Sequence, residues 1–285
     1  MNKSFDADED FQINKAEENS SHKAYASFLR AKQLKQELPK NSILSNDAEF
    51  FRFFKEVDAE DRVSSILFRR KSDAPQALIT VWLSRVREVA NALAILNKVP
   101  KFDGIDLQSL AAIGKTSSSV NSISNLQSHL FDRGIILVYE RALPGMKLDG
   151  AAFRLSNGTP VVALSLRYSR LDHFWFTLMH ELVHVALHYD QLNEPIVDDL
   201  DSPGEDDIEV EANHGAANSL ISRSDWRSCN ALYVQRDEEV IEFAKSVSVH
   251  PSIVAGRIRR ELNRHTLFSK IINENNVRSI LLNEQ

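Results

Sequence analysis

The chain has 285 residues, of which 43% are hydrophobic and 26% charged, with a formal net charge of −6. These values describe one large or two modest folded domains that need no disulfide staple, and they argue against tight non-specific binding to nucleic acid. Cys229 has no partner for an internal bridge, no apolar run follows Met1, and no stretch approaches the roughly 18 apolar residues of a membrane span, so a cytoplasmic protein without a membrane partner is expected.

Residues 1–22 are polar and acidic without an apolar period, and a flexible tail is expected there. Residues 23–75 form a helical N-terminal extension, with helices expected over Ala24–Glu37 and 48–58. A stronger helix is predicted over Gln76–Asn97, where Leu78, Val81, Trp82, Val86, Val89, Leu93 and Leu96 recur at helical spacing before Pro100. Short helices are expected over Leu107–Ile113 and Ser122–Arg133. The pattern then changes to short apolar runs at 134–140, 150–155 and 160–166, the last two joined by the turn sequence Ser156-Asn157-Gly158-Thr159. The prediction is an α+β fold, mostly helical, with a small and mainly antiparallel sheet packed beside the next helix. An acidic loop follows, because no Lys or Arg occurs between Asp190 and Glu211, and then a helix over Asp207–Ile221. The central domain is expected to span 76–235. Residues 236–285 read as a helical subdomain resembling a helix-turn-helix, with Arg257, Arg259 and Arg260 on its second helix.

The helix from Asp172 to about Tyr189 carries the chemistry. Phe174, Trp175, Phe176, Leu178, Met179, Leu182, Val183, Val185, Ala186 and Leu187 cover most of its circumference, so it must be buried nearly all round. Thr177, His180, Glu181, His184 and His188 nevertheless make one polar stripe along it. Polar groups inside an apolar shell are costly unless something satisfies them, and a metal ion does. Two His one turn apart project in parallel and can both reach a zinc at ~2.0–2.1 Å. Glu181 points beside that metal and suits a general base that takes a proton from an activated water and passes it to a leaving amine.

A catalytic site needs a third protein ligand. The run Ile208-Glu209-Val210-Glu211-Ala212-Asn213-His214-Gly215-Ala216 is helix-like and rich in small residues, which allow close packing on the first helix. Geometry alone leaves Glu209 and Glu211 both open, about 200° apart around a helix. Glu209 shares a face with Ala212, Asn213 and Ala216 and is favoured, with Glu211 the alternative. His188 lies ~6 Å along the helix from His184, too far for the same ion, and is expected in the wall of the site. His214, as an oxyanion stabiliser, and Arg257, beside the substrate or as a phosphate contact, complete the candidates; a surface or packing role is the plainer reading of His214, and a solvated charge that of Arg257. Cys229 reads as an ordinary cysteine before it reads as an inhibitory thiol.

The stretch from Leu164-Ser165-Leu166-Arg167-Tyr168 through Phe174-Trp175-Phe176-Thr177-Leu178-Met179-His180-Glu181-Leu182-Val183-His184 resembles the ImmA/IrrE family of metallopeptidases. Glu209-Val210-Glu211-Ala212-Asn213 followed by Ala216-Ala217 is similar to that family's second motif, which implies Glu209 as the third ligand. The segment from His250 to Arg259 is similar to the tail of a branch in which the peptidase domain is fused behind a helix-turn-helix, as in HigA-like antitoxins and phage-type regulators. The resemblance implies a gluzincin-like fold and one zinc per chain. It also implies a protein substrate, a helix-turn-helix repressor or antitoxin, whose removal releases stress or mobile-element genes. Two departures stand out: Gly215 where the family has a bulky residue, and Leu220-Ile221-Ser222 in place of Leu-Met-Pro. No helix-turn-helix is legible before Gln76, so a separate repressor is the natural partner. The competing expectation is a metal-binding transcriptional regulator that contacts nucleic acid, or a toxin–antitoxin component that acts by complex formation alone.

Overall fold

A computed structural model of the chain describes residues 25–32, 35, 47–63, 76–199 and 207–282. The expected tail at 1–22 and most of the acidic loop, from 200 to 206, lie outside the described residues. The chain divides into two compact units, Met1–Ile66 and Leu67–Gln285. In the first, a helix over 25–32 meets helix α1 (Asp47–Val63) through aromatic rings. Phe28 packs edge-on against Phe50 and Phe54 at 5.9 and 5.8 Å, the arrangement that ring quadrupoles favour.

The second unit is a mostly helical α+β fold. Helix α2 (Gln76–Leu96) buries Leu78, Ile79, Val81, Trp82, Leu83 and Val86, and the Trp82 indole donates to Glu140 O at 3.0 Å. Of the apolar stripe, Val89 and Leu96 are exposed, so its burial ends before the helix does. Helices α3 (Leu107–Lys115) and α4 (Leu126–Phe131) precede the sheet.

Strands β1 (Ile136–Tyr139), β2 (Gly150–Arg154) and β3 (Pro160–Leu164) fall inside the three predicted runs. The β2–β3 hairpin closes at Gly158, whose φ of +85° suits glycine, with Thr159 N–H donating to Asn157 Oδ1 at 3.0 Å. The sheet order is β1-β3-β2-β4; β1 runs parallel to β3, and β2 is antiparallel to β3 and β4. Strand β4 (Ile196–Asp198) corrects the sequence reading, which placed only a loop there.

Helix α5 (Leu171–Leu187) packs on β2 and β3 and is buried on almost every side, as its composition demands. Helix α6 (Asp207–Leu220) lies against it through Ala212 and Ala216, both fully buried. The C-terminal part contains α7 (Arg223–Trp226), α8 (Ala231–Val234), α9 (Asp237–Ser246), α10 (Pro251–Leu262), α11 (Ser269–Asn273) and α12 (Val277–Leu281). His250 caps α10 by accepting from Ser252 N–H, and Pro251 starts the helix where its missing N–H is harmless. Helices α9 and α10 are joined by residues 247–250, and Ile253, Val254, Ala255 and Ile258 bury α10 in the same core as α5.

Candidate metal centre

One helical turn separates His180 from His184, and their Nε2 atoms stand 3.1 Å apart at the centre of the fold, both side chains fully buried. Glu209 on α6 reaches them, with Oε2 at 3.3 Å from His180 Nε2 and Oε1 at 3.7 Å from His184 Nε2. This is the glutamate the small-residue face singled out. A fourth group, unforeseen in the sequence, comes from the end of β4: Asp198 Oδ2 lies 3.2 Å from His180 Nε2 and 3.5 Å from His184 Nε2.

These four side chains fit a metal ion. Each offers one ligand atom, and the four atoms lie within 4.8 Å of one another. A tetrahedral ion with arms of ~2.0–2.1 Å has ligand–ligand edges of about 3.3–3.4 Å. The measured His–His, His–Asp and His–Glu separations, 3.1 to 3.7 Å, cluster around that value. Charge argues the same way, since two carboxylates buried against two imidazoles need a cation to offset their desolvation. Without one, protons take that place. Burial disfavours the His180 imidazolium, but Asp198 and Glu209 beside it outweigh burial and raise its pKa to about 9. Burial holds the His184 ring below its usual value, and the two histidines hold the Asp198 carboxyl well below the usual range against the opposing effect of burial.

Around this group, His188 Nδ1 stands 3.0 Å from His184 Nδ1, and its Nε2 meets Glu211 Oε2 at 3.1 Å. Glu211, the alternative third ligand, is therefore turned away from the four ligand atoms; the 200° between neighbouring odd positions carries it to the outer edge, where it orients His188. His188 stands outside the four-residue group. His180 Nδ1 has no hydrogen-bond partner among the described residues.

Glu181 is fully buried on the sheet side of α5, and its carboxylate lies over Gly150 of β2. A Cβ at position 150 would stand 2.3 Å from Glu181 Oε1, so only glycine leaves the carboxylate its place. Next to it runs a polar network that the residue-by-residue reading did not find. Arg167 Nε meets Asp149 Oδ1 at 3.1 Å and Nη2 meets Asp199 Oδ1 at 3.2 Å, while His173 Nε2 lies 3.1 Å from the same Asp149 oxygen. The Asp149 N–H donates to Asp198 O at 2.7 Å. This network fixes the chain at Asp198 and Asp199.

The remaining candidates lie elsewhere. His214 is exposed and lines a cleft of about 1190 Å³ with Tyr168, Arg170, Phe176, Arg227 and Arg260. Phe176 stands between this cleft and the metal group: the Arg260 guanidinium covers its ring at 4.3 Å, and the His180 ring lies 6.4 Å away. Arg257 faces inward, donating to Ile221 O at 3.0 Å and stacking over Trp226 at 4.1 Å, and Arg259 donates to Leu267 O. Neither side chain is a solvated charge on an outer face, contrary to expectation: Arg257 reaches the carbonyl that follows the C-terminus of α6, and Arg259 a carbonyl of the turn before α11. Cys229 is buried in the core and stands outside the four-residue group, and burial pushes its thiol pKa up.

Among the described residues no helix is long and apolar enough to cross a membrane. A search of curated proteins finds no match. Residues 132–259 match the Peptidase_M78 family model, described as the IrrE N-terminal-like domain. The matched segment runs from the end of α4 into α10 and contains His180, Glu181, His184, Asp198 and Glu209.

Proposed function

Because this chain belongs to the ImmA/IrrE family through residues 132–259, and its site is of the metallopeptidase type, we propose that it is a zinc-dependent endopeptidase. The observation that carries this reading is the buried Glu181 carboxylate, seated over Gly150 next in sequence to a histidine of the metal group. His180, His184 and Glu209 hold one zinc ion per chain. When bound, the metal supplies Lewis acidity that polarises the scissile carbonyl and lowers the pKa of water. Glu181 accepts the proton of the attacking water and delivers it to the leaving nitrogen as the C–N bond breaks. His188, bridged to Glu211, keeps the His184 ring oriented. By analogy with the family, the substrate is a helix-turn-helix repressor or antitoxin supplied by a separate chain.

The test is Glu181→Gln. The variant should keep its zinc and lose hydrolysis of the repressor by at least about a hundredfold, the scale of a lost general base. Unchanged cleavage would end the peptidase reading.

A second reading has one observation in its favour. Four protein ligands around one ion describe a structural site more often than a catalytic one. On that reading the protein binds its partner without cutting it, and Glu181→Gln leaves its regulatory effect intact.

A further inference from the structure

We propose that Asp198 is a fourth ligand of the metal, and that strand β4 is a latch holding the site in a closed resting form. The inference rests on the metallopeptidase reading above and explains how a catalytic site comes to have four ligands. A catalytic zinc keeps one position for water, and here that position is taken by a side chain of the chain itself. Asp198 Oδ2 is within 3.5 Å of both histidine nitrogens, as close as the Glu209 oxygens. Its side chain is fully buried, so nothing from solvent competes for its place.

The strand that delivers it is built to be both held and moved. β4 has three residues and sits at the edge of the sheet, and among the described residues only β2 pairs with it, in the register Gly150↔Asp198, Ala151↔Val197 and Ala152↔Ile196. The residue opposite Asp198 is Gly150, the one under Glu181. The latch therefore carries a metal ligand and is paired, residue for residue, with the strand on which the base rests. Arg167 locks it from the far side through Asp199, at 3.2 Å and almost buried. Lifting so short an edge strand breaks few backbone bonds and frees the ligand position.

The experiment uses the full-length protein loaded with zinc or, as a spectroscopic probe, with cobalt(II). Affinity is measured by chelator competition, and access to the metal by titrating azide against the cobalt visible spectrum. The wild type is expected to bind one metal ion and give no azide response. Asp198→Asn, which keeps the shape of the side chain, and Asp198→Ala are expected to weaken metal binding at least about tenfold. Both should gain an azide response, and Asp198→Ala should gain cleavage of an unfolded protein such as casein. Arg167→Gln, which leaves every ligand in place, is expected to gain a partial azide response. Wild-type affinity in both Asp198 variants, or an azide response already present in the wild type, would overturn the latch while leaving the peptidase reading intact. If the wild type itself takes up no metal, and His184→Ala is indistinguishable from it, both the latch and the reading beneath it fail.

Discussion

Gly215 lies directly against the isopropyl group of Val183: a Cβ at position 215 would stand 2.8 Å from Cγ2 and 2.9 Å from Cγ1. Val183 is held to one helical rotamer by its branched Cβ and cannot swing aside. Gly215→Ala should therefore push α6 away from α5. The clash costs about 1–3 kcal/mol, against about 1 kcal/mol returned by the better helix propensity of alanine. Glu209 sits on the helix that moves, so metal affinity should fall together with the melting temperature. A variant that melts and binds zinc like the wild type would show that the contact has no part in placing Glu209.

Glu209 and Glu211 should separate cleanly in a metal titration. Glu209→Ala removes a ligand and should abolish stoichiometric zinc binding. Glu211→Ala removes only the partner of His188, at 3.1 Å, and should weaken binding by at most about 10–100-fold while leaving one zinc per chain at saturation. The reverse pattern would transfer the ligand role to Glu211.

The protonation of His180 predicts a pH dependence with a definite sign. Its pKa is raised from 6.5 to about 9 in the metal-free fold, and a metal ion must displace that proton. Zinc affinity should then climb by about tenfold per pH unit between roughly pH 7 and 9, and level off above. Calorimetry in buffers of different ionisation enthalpy should register about one proton released per zinc near neutrality. Metal-free stability runs the other way. A group whose pKa is raised on folding contributes fully below its unfolded value of 6.5 and loses that contribution as pH rises through about 9. The urea midpoint of the metal-free protein should accordingly fall across that interval, and a rising midpoint would contradict the assignment.

Which parts of the site were legible in the sequence follows from how local each signal is. His180, Glu181 and His184 share one helix, so their spacing alone sets them on one face. Glu209 is a step harder, because it comes from another helix, but Ala212 and Ala216 mark the face that must approach. Asp198 left no such mark. It ends a three-residue edge strand inside an acidic run, and its place at the metal depends on β2 pairing across a gap of more than forty residues. A β-branched pair after Pro195, Ile196-Val197, was the only hint that the run was not all loop. The parallel pairing of β1 with β3 was equally hidden, since apolar runs give strands but not their direction.

Arg257 illustrates the same limit, and it yields the last prediction. From sequence it belongs to a basic helix suited to phosphates, yet its guanidinium is spent on protein groups. It donates to Ile221 O at 3.0 Å and Ala217 O at 3.4 Å, pairs with Glu261 at 3.1 Å, and covers the Trp226 ring at 4.1 Å. Ile221 follows the last residue of α6, where C=O groups lack intrahelical partners, while Ala217 O, in the last turn, also accepts from Ile221 N–H at 3.0 Å. Arg257→Ala should therefore destabilise the fold by about 1–3 kcal/mol, as removal of a donor from part-buried carbonyls does. Lysine should recover only part of that loss, having no planar fork to reach both carbonyls and lie flat on Trp226. Weak binding to duplex DNA, and its salt dependence, should be the same in the alanine variant as in the wild type. A residue that reads phosphates would give the opposite result: an unchanged melting temperature, with the slope of log affinity against log salt reduced by about one.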